Sequence, residues 1–426
     1  MQRGGDTEKR HLEDAARDER RLLGLLGVSF LLNQYDMALV GLALPQIQAS
    51  LAIAENELGP LVGAVKLGAL GGLALSVAAD RAGRRVLLLA TILGFAVFTT
   101  ATAFAQTAAQ FLWLQLAARA FIAAEETIAI VIVAEQVRAG GRGFAFGVLA
   151  IFGALGHGVA AISYGFVDAL PFGWRALYAA GALPLLALAW LRSGLRETDR
   201  FARDRELHGG DAGSWVRPVR ELLVVRPARL ASLVVGTVAF GFGVSPALAL
   251  VSKTLQDVHG WSPPDVTLLV VGAGSLTLAT YPLAGHLSDR VGRRRVLVAS
   301  LLVNALGVVA FYSASGPGLV ACWLAMMASF MAADVLFGAL GAELFGTSHR
   351  VTASGVRMLA LSGGGALGLA VEGLLYGITG SHAAAVSWMA LAAVPAAIAI
   401  LLGVPETAAC DLDQIAAWNT TQGEPR

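Results

Sequence analysis

The sequence predicts an all-α integral membrane protein with twelve transmembrane helices in two pseudo-symmetric six-helix bundles. Only 14% of the 426 residues are charged, whereas a soluble globular protein carries roughly 25%. The charged residues lie in short clusters, and the apolar stretches between them are about 20 residues long, which is the length that a helix needs to cross a bilayer core. The two halves of the chain also repeat each other, which indicates a duplicated bundle.

One long polar segment divides the apolar spans into two sets of six. Hydropathy places the spans at residues 22–46, 58–78, 86–106, 111–134, 143–167, 173–192, 230–252, 265–287, 296–314, 318–342, 354–379 and 384–404. The sequence therefore predicts an N-terminal tail at 1–21, a first bundle at 22–192, a linker at 193–229, a second bundle at 230–404 and a C-terminal tail at 405–426.

The basic residues predict the orientation of the chain. Arginines in the N-terminal tail, in the linker and after spans 2 and 8 fall on one side if the spans alternate, whereas Arg175 and Lys253 are the only basic residues near the opposite loops. The positive-inside rule then places both termini in the cytoplasm. The tail at 1–21 carries mixed charges, unlike the start of a cleaved signal peptide, so we expect the first helix to be retained. The excess of arginine over lysine favours a GC-rich bacterial source, and hence a multi-pass protein of the bacterial plasma (inner) membrane.

Three polar elements recur in the second half at an offset of 208 or 209 residues, each at a predicted cytoplasmic helix end. Such a set of matches at one offset is not expected by chance, and it supports a duplication in which the two halves rock about a site at the bilayer midplane. The repeated elements are Asp80–Arg85 with Asp289–Arg294, Glu135 and Arg142 with Glu343 and Arg350, and Arg196–Thr198 with Pro405–Thr407.

These motifs resemble the major facilitator superfamily over essentially the whole chain. The stretch after span 2 departs from the family signature at Ser76, where the pattern has glycine. The resemblance implies a latch that holds the outward-open state, in which arginines of the loop motifs pair with Glu135 in the first half and with Glu343 in the second. A solvated basic loop that only sets topology is the alternative. The implied latch residues are Asp80, Arg81, Arg84, Glu135, Arg142, Asp289, Arg290, Arg293, Glu343 and Arg350.

A smaller set of residues indicates the branch of the family. Tyr35 and Asp36 with Gly41 and Pro45, and Arg119 in span 4, resemble the sugar-porter and the organic- and aromatic-acid proton symporter branches. Span 7 lacks the paired glutamines of sugar porters, and span 5 lacks the Gly-Pro signature of proton-driven drug antiporters. A metabolite symporter of unassigned substrate fits best.

Asp36 and Arg119 are ionisable residues inside predicted spans 1 and 4. Each ionisable residue at the middle of a helix costs roughly 2.5–3.5 kcal/mol on insertion scales, so it needs a partner or a water-filled cavity. The resemblance implies that Asp36 carries the coupled proton and that Arg119 modulates it. A permanent structural ion pair is the alternative.

Five further residues in the spans are candidates for substrate binding. Glu126 shares a helix face with Arg119, and Asp334 is its counterpart in the repeat, although both carboxylates could instead satisfy donors on neighbouring helices. Lys66 could bind a substrate carboxylate or neutralise a buried acid. His157 is a candidate for substrate binding or proton relay, or a packing residue, and Glu372 could line the outer entrance or cap a neighbouring helix.

The function that follows is proton-coupled symport of a small polar or charged organic metabolite. A proton-driven drug or metabolite exporter and a non-transporting membrane sensor are the alternatives. The sequence shows no nucleotide-binding loop, metal-ligand cluster or nucleophile triad, so we expect no enzyme activity, no cofactor and no metal. With a net charge of +1, nothing indicates nucleic-acid binding. The expected partners are protons, the substrate and the bilayer, and we expect a monomer.

Overall fold

The computed structural model describes residues 2–82, 84–137, 142–192, 227–345 and 350–408. Side chains are described throughout these ranges apart from those of 2–19, 73–74, 76–86, 134–136, 142–143, 192, 342 and 350–351. Every regular element in the described ranges is a helix, as the sequence predicts.

Seven helices are described in the first half of the chain. They are α1 (Gln2–Leu42), α2 (Leu44–Leu51), α3 (Glu55–Ala82), α4 (Arg84–Thr102), α5 (Ala108–Gln136), α6 (Arg142–Tyr164) and α7 (Trp174–Arg192). Helix α1 begins well before the predicted start of span 1 at residue 22, so the segment assigned to the N-terminal tail is also helical.

In the described part of the second half there are ten α-helices and two π-helical turns. The α-helices are α8 (Pro227–Ala249), α9 (Val251–Lys253), α10 (Pro263–Leu268), α11 (Gly274–Thr277), α12 (Thr280–Val291), α13 (Arg293–Ser313), α14 (Gly318–Glu343), α15 (Arg350–Thr379), α16 (His382–Ala390) and α17 (Ala393–Gly403). The π-helical turns are Thr254–Val258, directly after α9, and Leu269–Ala273, between α10 and α11.

These helices account for the twelve predicted spans. Span 1 corresponds to α1 and α2, spans 2 to 6 to α3 to α7, and spans 9 to 11 to α13 to α15, while spans 7, 8 and 12 are each broken into shorter helices. Within the described ranges, nine helical stretches are long and apolar enough to cross a membrane. Helix α5 is not among them, since it carries the charged side chains of Arg119, Glu125 and Glu126.

The chain forms two compact units. Unit 1 comprises Met1–Gln46 and Gly68–Ala212, and unit 2 comprises Ile47–Leu67 and Gly213–Arg426. The first part of α3 therefore packs with the helices of the second half. The bundle boundaries that the sequence predicts at the linker stay a prediction.

Each unit has its own apolar core. In unit 1, buried side chains of α1, α4, α5, α6 and α7 pack in two clusters, one around Leu26 and Val133 and the other around Phe95. In unit 2, the core lies between α8, α13, α14 and α17 and includes Phe240 and Phe337, whose ring centroids are 5.4 Å apart. These cores hold the polar side chains of the spans in place.

Candidate proton and substrate sites

Asp36 lies on α1 inside unit 1 and is only 2% exposed. Its Oδ1 accepts a hydrogen bond of 3.0 Å from Oγ1 of Thr99 on α4. Because a buried carboxylate needs hydrogen-bond donors or a proton, Thr99 is one of the groups that make this position tolerable. The sequence singled out Asp36 but not Thr99.

Arg119 lies on α5 in the same unit, close enough to interact electrostatically with Asp36, Glu126 and Tyr178. Its Nη1 is buried and has no hydrogen-bond partner among the described residues. A buried guanidinium normally uses its N–H donors, since an unmet donor away from water costs about 1–3 kcal/mol. Arg119 therefore has a donor available for an additional acceptor.

Glu126 lies two helical turns after Arg119, on the same face of α5. Its Oε1 accepts a hydrogen bond of 3.3 Å from Nε2 of Gln34 on α1. The structure thus brings Asp36, Arg119 and Glu126 together in unit 1, supported by Gln34 and Thr99. The sequence analysis did not identify Gln34.

Asp334, the counterpart of Glu126 in the repeat, lies on α14 in unit 2. Its Oδ1 is 3.5 Å from Nη1 of Arg357 on α15. The sequence analysis overlooked Arg357, even though an arginine inside an apolar span is the signal that identified Arg119. The described contact of Asp334 is therefore an ion pair within the unit.

Lys66 on α3 also belongs to unit 2, where its Nζ donates a hydrogen bond of 3.1 Å to Oγ of Ser245 on α8. A Cβ atom at Gly365 of α15 would lie 3.5 Å from the same ammonium. The same Cβ atom would collide with the hydroxyl of Ser245, so the glycine lets α15 approach the residue that Lys66 contacts.

His157 is exposed on α6. Its Nδ1 lies 3.4 Å from the carbonyl oxygen of Gly153, one turn earlier on the same helix. None of its described contacts links it with Asp36, Arg119 or Glu126.

Glu372 on α15 is fully buried. Its Oε1 lies 2.6 Å from Nδ1 of His382, the first residue of α16. The other ring nitrogen, Nε2, lies 2.9 Å from Oε2 of Glu55 at the start of α3. Glu372 therefore belongs to a group of charged side chains that the sequence analysis did not assemble.

The latch residues of the second half meet at the start of α13. Nε of Arg293 lies 2.7 Å from Oε2 of Glu343, and its Nη2 lies 3.2 Å from Oδ1 of Asp289. Thr407 donates a hydrogen bond of 2.8 Å to the same Glu343 oxygen. By contrast, Arg290 is exposed and is not among the described partners of Glu343.

Glu406 extends this group at the N-terminus of α13. Its Oε1 accepts a hydrogen bond of 2.7 Å from the backbone N–H of Arg293. A carboxylate at this position satisfies a free backbone donor and complements the positive end of the helix dipole. In the first copy of the latch, the side chains of Asp80, Arg81, Arg84, Glu135 and Arg142, like that of Arg350 in the second copy, lie outside the described residues.

The sequence matches the profile of the Major Facilitator Superfamily at residues 26–250 and 233–414. The chain belongs to this superfamily.

Two relatives within the superfamily cover most of the chain. The probable 4-methylmuconolactone transporter of Cupriavidus pinatubonensis is 26% identical over 332 residues, which are 76% of each protein. The putative niacin/nicotinamide transporter NiaP of Bacillus subtilis is 25% identical over 402 residues, which are 93% of this chain and 98% of the relative.

Solved structures of the superfamily share the fold. The inward-open xylose transporter XylE of Escherichia coli superposes with a TM-score of 0.74 at 18% identity, covering 93% of this chain and 98% of XylE. The twelve-helix fold predicted by the sequence is confirmed. The chain is a multi-pass membrane transporter and not an enzyme.

Proposed function

We propose that this transporter is a proton-coupled symporter of a small organic acid, a ring compound that carries a carboxylate. The observation that carries the proposal is the buried guanidinium of Arg119, which keeps an unused donor at Nη1 while interacting with Asp36 and Glu126. An unused guanidinium donor suits a carboxylate, because the planar fork of arginine matches the two carboxylate oxygens.

The coupling to protons follows from the charges around Arg119. Asp36 and Glu126 are two carboxyl groups beside one guanidinium, so an anionic substrate at Arg119 would be repelled if both were ionised. A proton on one of the two carboxyl groups removes the repulsion, and by linkage the bound substrate must in turn strengthen proton binding. Substrate and proton therefore bind together, which is the requirement for symport.

The substrate class is supported by the relatives and by Arg119. Niacin and 4-methylmuconolactone, two of the three compounds named for the two relatives, are small ring compounds with one carboxylate, whereas nicotinamide, also named for the second relative, is an uncharged ring amide. The guanidinium of Arg119 in unit 1 favours an acid over an uncharged compound, because its planar fork matches a carboxylate.

The test is uptake into proteoliposomes under an inward proton gradient. We expect saturable accumulation of niacin but not of nicotinamide, its uncharged amide of nearly the same shape, nor of xylose. Arg119→Gln should raise the half-saturation concentration for niacin about tenfold or more, because a charge-assisted hydrogen bond contributes roughly 1.5–3 kcal/mol. Arg295→Gln, which removes an exposed arginine, is the matched control and should leave uptake unchanged.

Two outcomes would overturn the proposal. One is transport of xylose or nicotinamide with the same affinity as the acids and no response to the proton gradient. The other is acid uptake that proceeds equally well with and without the gradient, which would leave a carrier but remove the coupling.

A further inference from the structure

Five charged or titratable side chains form a continuous chain of contacts in unit 2, which we term the outer charge chain: Asp257, Lys253, Glu55, His382 and Glu372. Nζ of Lys253 lies 2.6 Å from Oδ2 of Asp257 and 3.1 Å from Oε2 of Glu55. Glu55 contacts Nε2 of His382, and Nδ1 of His382 contacts Glu372. All five residues lie in unit 2, at the end of the spans that the sequence places on the outer side.

The outer charge chain joins five segments. Glu55 starts α3, Lys253 ends α9, Asp257 lies in the π-helical turn Thr254–Val258, Glu372 lies late in α15 and His382 starts α16. Lys253 is nearly buried, with 5% of its side chain exposed, and also donates to Oε1 of Gln48 on α2 at 2.5 Å. The exposure of the remaining side chains falls from 48% at Asp257 and 39% at Glu55 to 13% at His382 and 0% at Glu372.

Hydrogen-bond counting fixes the protonation of this group. Both ring nitrogens of His382 face carboxylate oxygens, at 2.9 Å and 2.6 Å. An ionised carboxylate only accepts, and a neutral imidazole has one N–H donor, so one of the two contacts would set a lone pair against a carboxylate oxygen. The arrangement therefore needs one extra proton, either on the imidazole or on a carboxyl group.

The formal charges lead to the same conclusion. The group holds three carboxylates, those of Asp257, Glu55 and Glu372, and one ammonium, that of Lys253, which contacts the first two. Oε2 of Glu372 is buried without a hydrogen-bond partner among the described residues. An unneutralised carboxylate there would be costly, because burial penalises the charged form.

The proton is held between His382 and Glu372 rather than at Glu55. Partial burial would raise the pKa of Glu55, but hydrogen bonds from His382, Gln48 and Lys253 outweigh this effect and lower its pKa below the ordinary value. Glu55 therefore stays ionised, while Glu372, which the other end of the imidazole contacts, is the fully buried partner.

We propose that the outer charge chain is a second proton-binding site of this transporter, separate from Asp36 and Glu126, and that α3 contacts α15 and α16 only when one proton is bound between His382 and Glu372. When the contact breaks, the proton is released to the water on that side and His382 becomes neutral. The proposal rests on the alternating-access cycle of the superfamily but not on the identity of the substrate.

Two tyrosines also lie next to His382 and Glu372. Tyr376 stacks on His382 with ring centroids 4.2 Å apart, and Tyr312 on α13 interacts electrostatically with Glu372. A phenol ordinarily ionises at about pH 10, well above the histidine range. The imidazole of His382 is thus the group of the outer charge chain whose ordinary titration range lies near neutral pH.

The test measures the contact itself in the absence of substrate. Spin labels are attached to Ala54→Cys, just before α3, and to Ile378→Cys on α15, in a Cys322→Ser/Cys410→Ser background; both label sites are exposed. Distances are measured in lipid nanodiscs between about pH 5.5 and about pH 8.5, which bracket the usual histidine range. If the closed contact binds one extra proton, the ratio of closed to open molecules should fall by up to about tenfold per pH unit across that range.

Two variants should remove the pH dependence in opposite directions. His382→Gln cannot donate to both carboxylates as an imidazolium does, so it should stay open at every pH. Glu372→Gln can donate to Nδ1 of a neutral His382, so it should stay closed at high pH. His259→Gln is the control, since His259 is not among the described contacts of the outer charge chain. This variant should keep the pH dependence of the unmodified protein.

The results distinguish this site from the proposed symport. A closed-to-open ratio that does not change with pH, or one that keeps its pH dependence in both His382→Gln and Glu372→Gln, overturns the second proton site. Neither result affects the niacin uptake experiment, and a failure of niacin uptake leaves the distance measurement intact.

Discussion

Thr99 on α4 donates a hydrogen bond of 3.0 Å to the buried carboxylate of Asp36 on α1. The bond links two helices of unit 1 through the residue to which we assign the coupled proton. Because Arg119 interacts with Asp36 without being its described hydrogen-bond donor, the carboxyl group can change its protonation while Arg119 engages another acceptor. Asp36 is therefore the first position to test.

Asp36→Asn should abolish accumulation of substrate against its gradient while leaving exchange of substrate across the membrane. The amide keeps the shape and the contact with Thr99 but carries no titrating proton, so binding and transport are no longer linked to the proton gradient. Counterflow and gradient-driven uptake in proteoliposomes measure the two properties separately. Asp168→Asn, at an exposed aspartate, is the control. Continued accumulation in Asp36→Asn would exclude Asp36 as the coupling residue.

Arg293→Ala should shift the population toward inward-open states. It removes the contacts of Arg293 with Glu343 and Asp289, which we assign to the state with a closed cytoplasmic side. A reporter cysteine at Thr352 in a cysteine-free background should then react faster with a membrane-impermeant maleimide from the cytoplasmic side, and Arg84→Ala/Arg293→Ala should react faster still. Arg290→Ala is the matched control, since Arg290 is exposed beside the same turn. Equal rates for Arg290→Ala and Arg293→Ala would contradict the latch.

Sequence reasoning reached the helical fold, the number of spans and most of the buried charges. It succeeded because apolar length and charge position act locally along the chain, and because the repeat relates Glu343 to Glu135 without any knowledge of packing. Arg357 was missed although the same local signal was present. That omission was avoidable.

The partners of these residues could not be predicted in the same way. The link from Glu55 to His382 joins positions 327 residues apart, and no periodicity relates the start of α3 to the start of α16. The sequence placed Glu372 at an outer entrance or on a helix cap, and its contact with His382 depends on how α15 and α16 pack against each other. Contacts of this kind follow from tertiary packing rather than from the local pattern.

Gly59→Ala should weaken the contact between α3 and α15. A Cβ atom at Gly59 would lie 2.5 Å from Oε2 of Glu372 and would also collide with the backbone oxygen of Leu369. Because the backbone of α15 cannot move aside as a flexible side chain can, the closed fraction in the spin-label measurement should fall at every pH. Gly377→Ala on α15, where a Cβ atom meets open space, should behave like the parent. A closed fraction that survives in Gly59→Ala would show that the helices tolerate a larger separation.

We expect the ion pair of Asp334 and Arg357 to stabilise the fold of unit 2. Arg357→Gln leaves the carboxylate of Asp334 without its partner. The substitution should lower the free energy of unfolding by about 2 kcal/mol. This is below the roughly 3–5 kcal/mol of a fully buried pair, since the side chain of Asp334 is 32% exposed. Asp334→Asn/Arg357→Gln removes both charges and should recover at least half of the loss, which a double-mutant cycle of melting temperatures measures. If the double variant is no more stable than Arg357→Gln, the two residues do not stabilise each other.

We predict that the substrate is charged and is not a neutral sugar. The ionisable side chains that we expect to recognise the charge are those of Lys66, Arg119, Glu126 and Asp334. Four ionisable groups inside the membrane cost on the order of 10 kcal/mol if unpaired. Pairing as seen for Asp334 with Arg357 recovers part of this cost, but a site for hydroxyl groups alone could use uncharged amides. Lys66→Gln should therefore raise the half-saturation concentration for niacin several-fold, whereas Glu126→Gln removes a carboxylate that repels the anion and should lower it. Both should leave any residual flux of nicotinamide unchanged. Competition of both compounds against labelled niacin measures this difference, with Lys9→Gln in the N-terminal segment as the control. Saturable transport of an uncharged sugar that neither substitution alters would contradict a charged substrate, because the buried charges would then have no part in recognition.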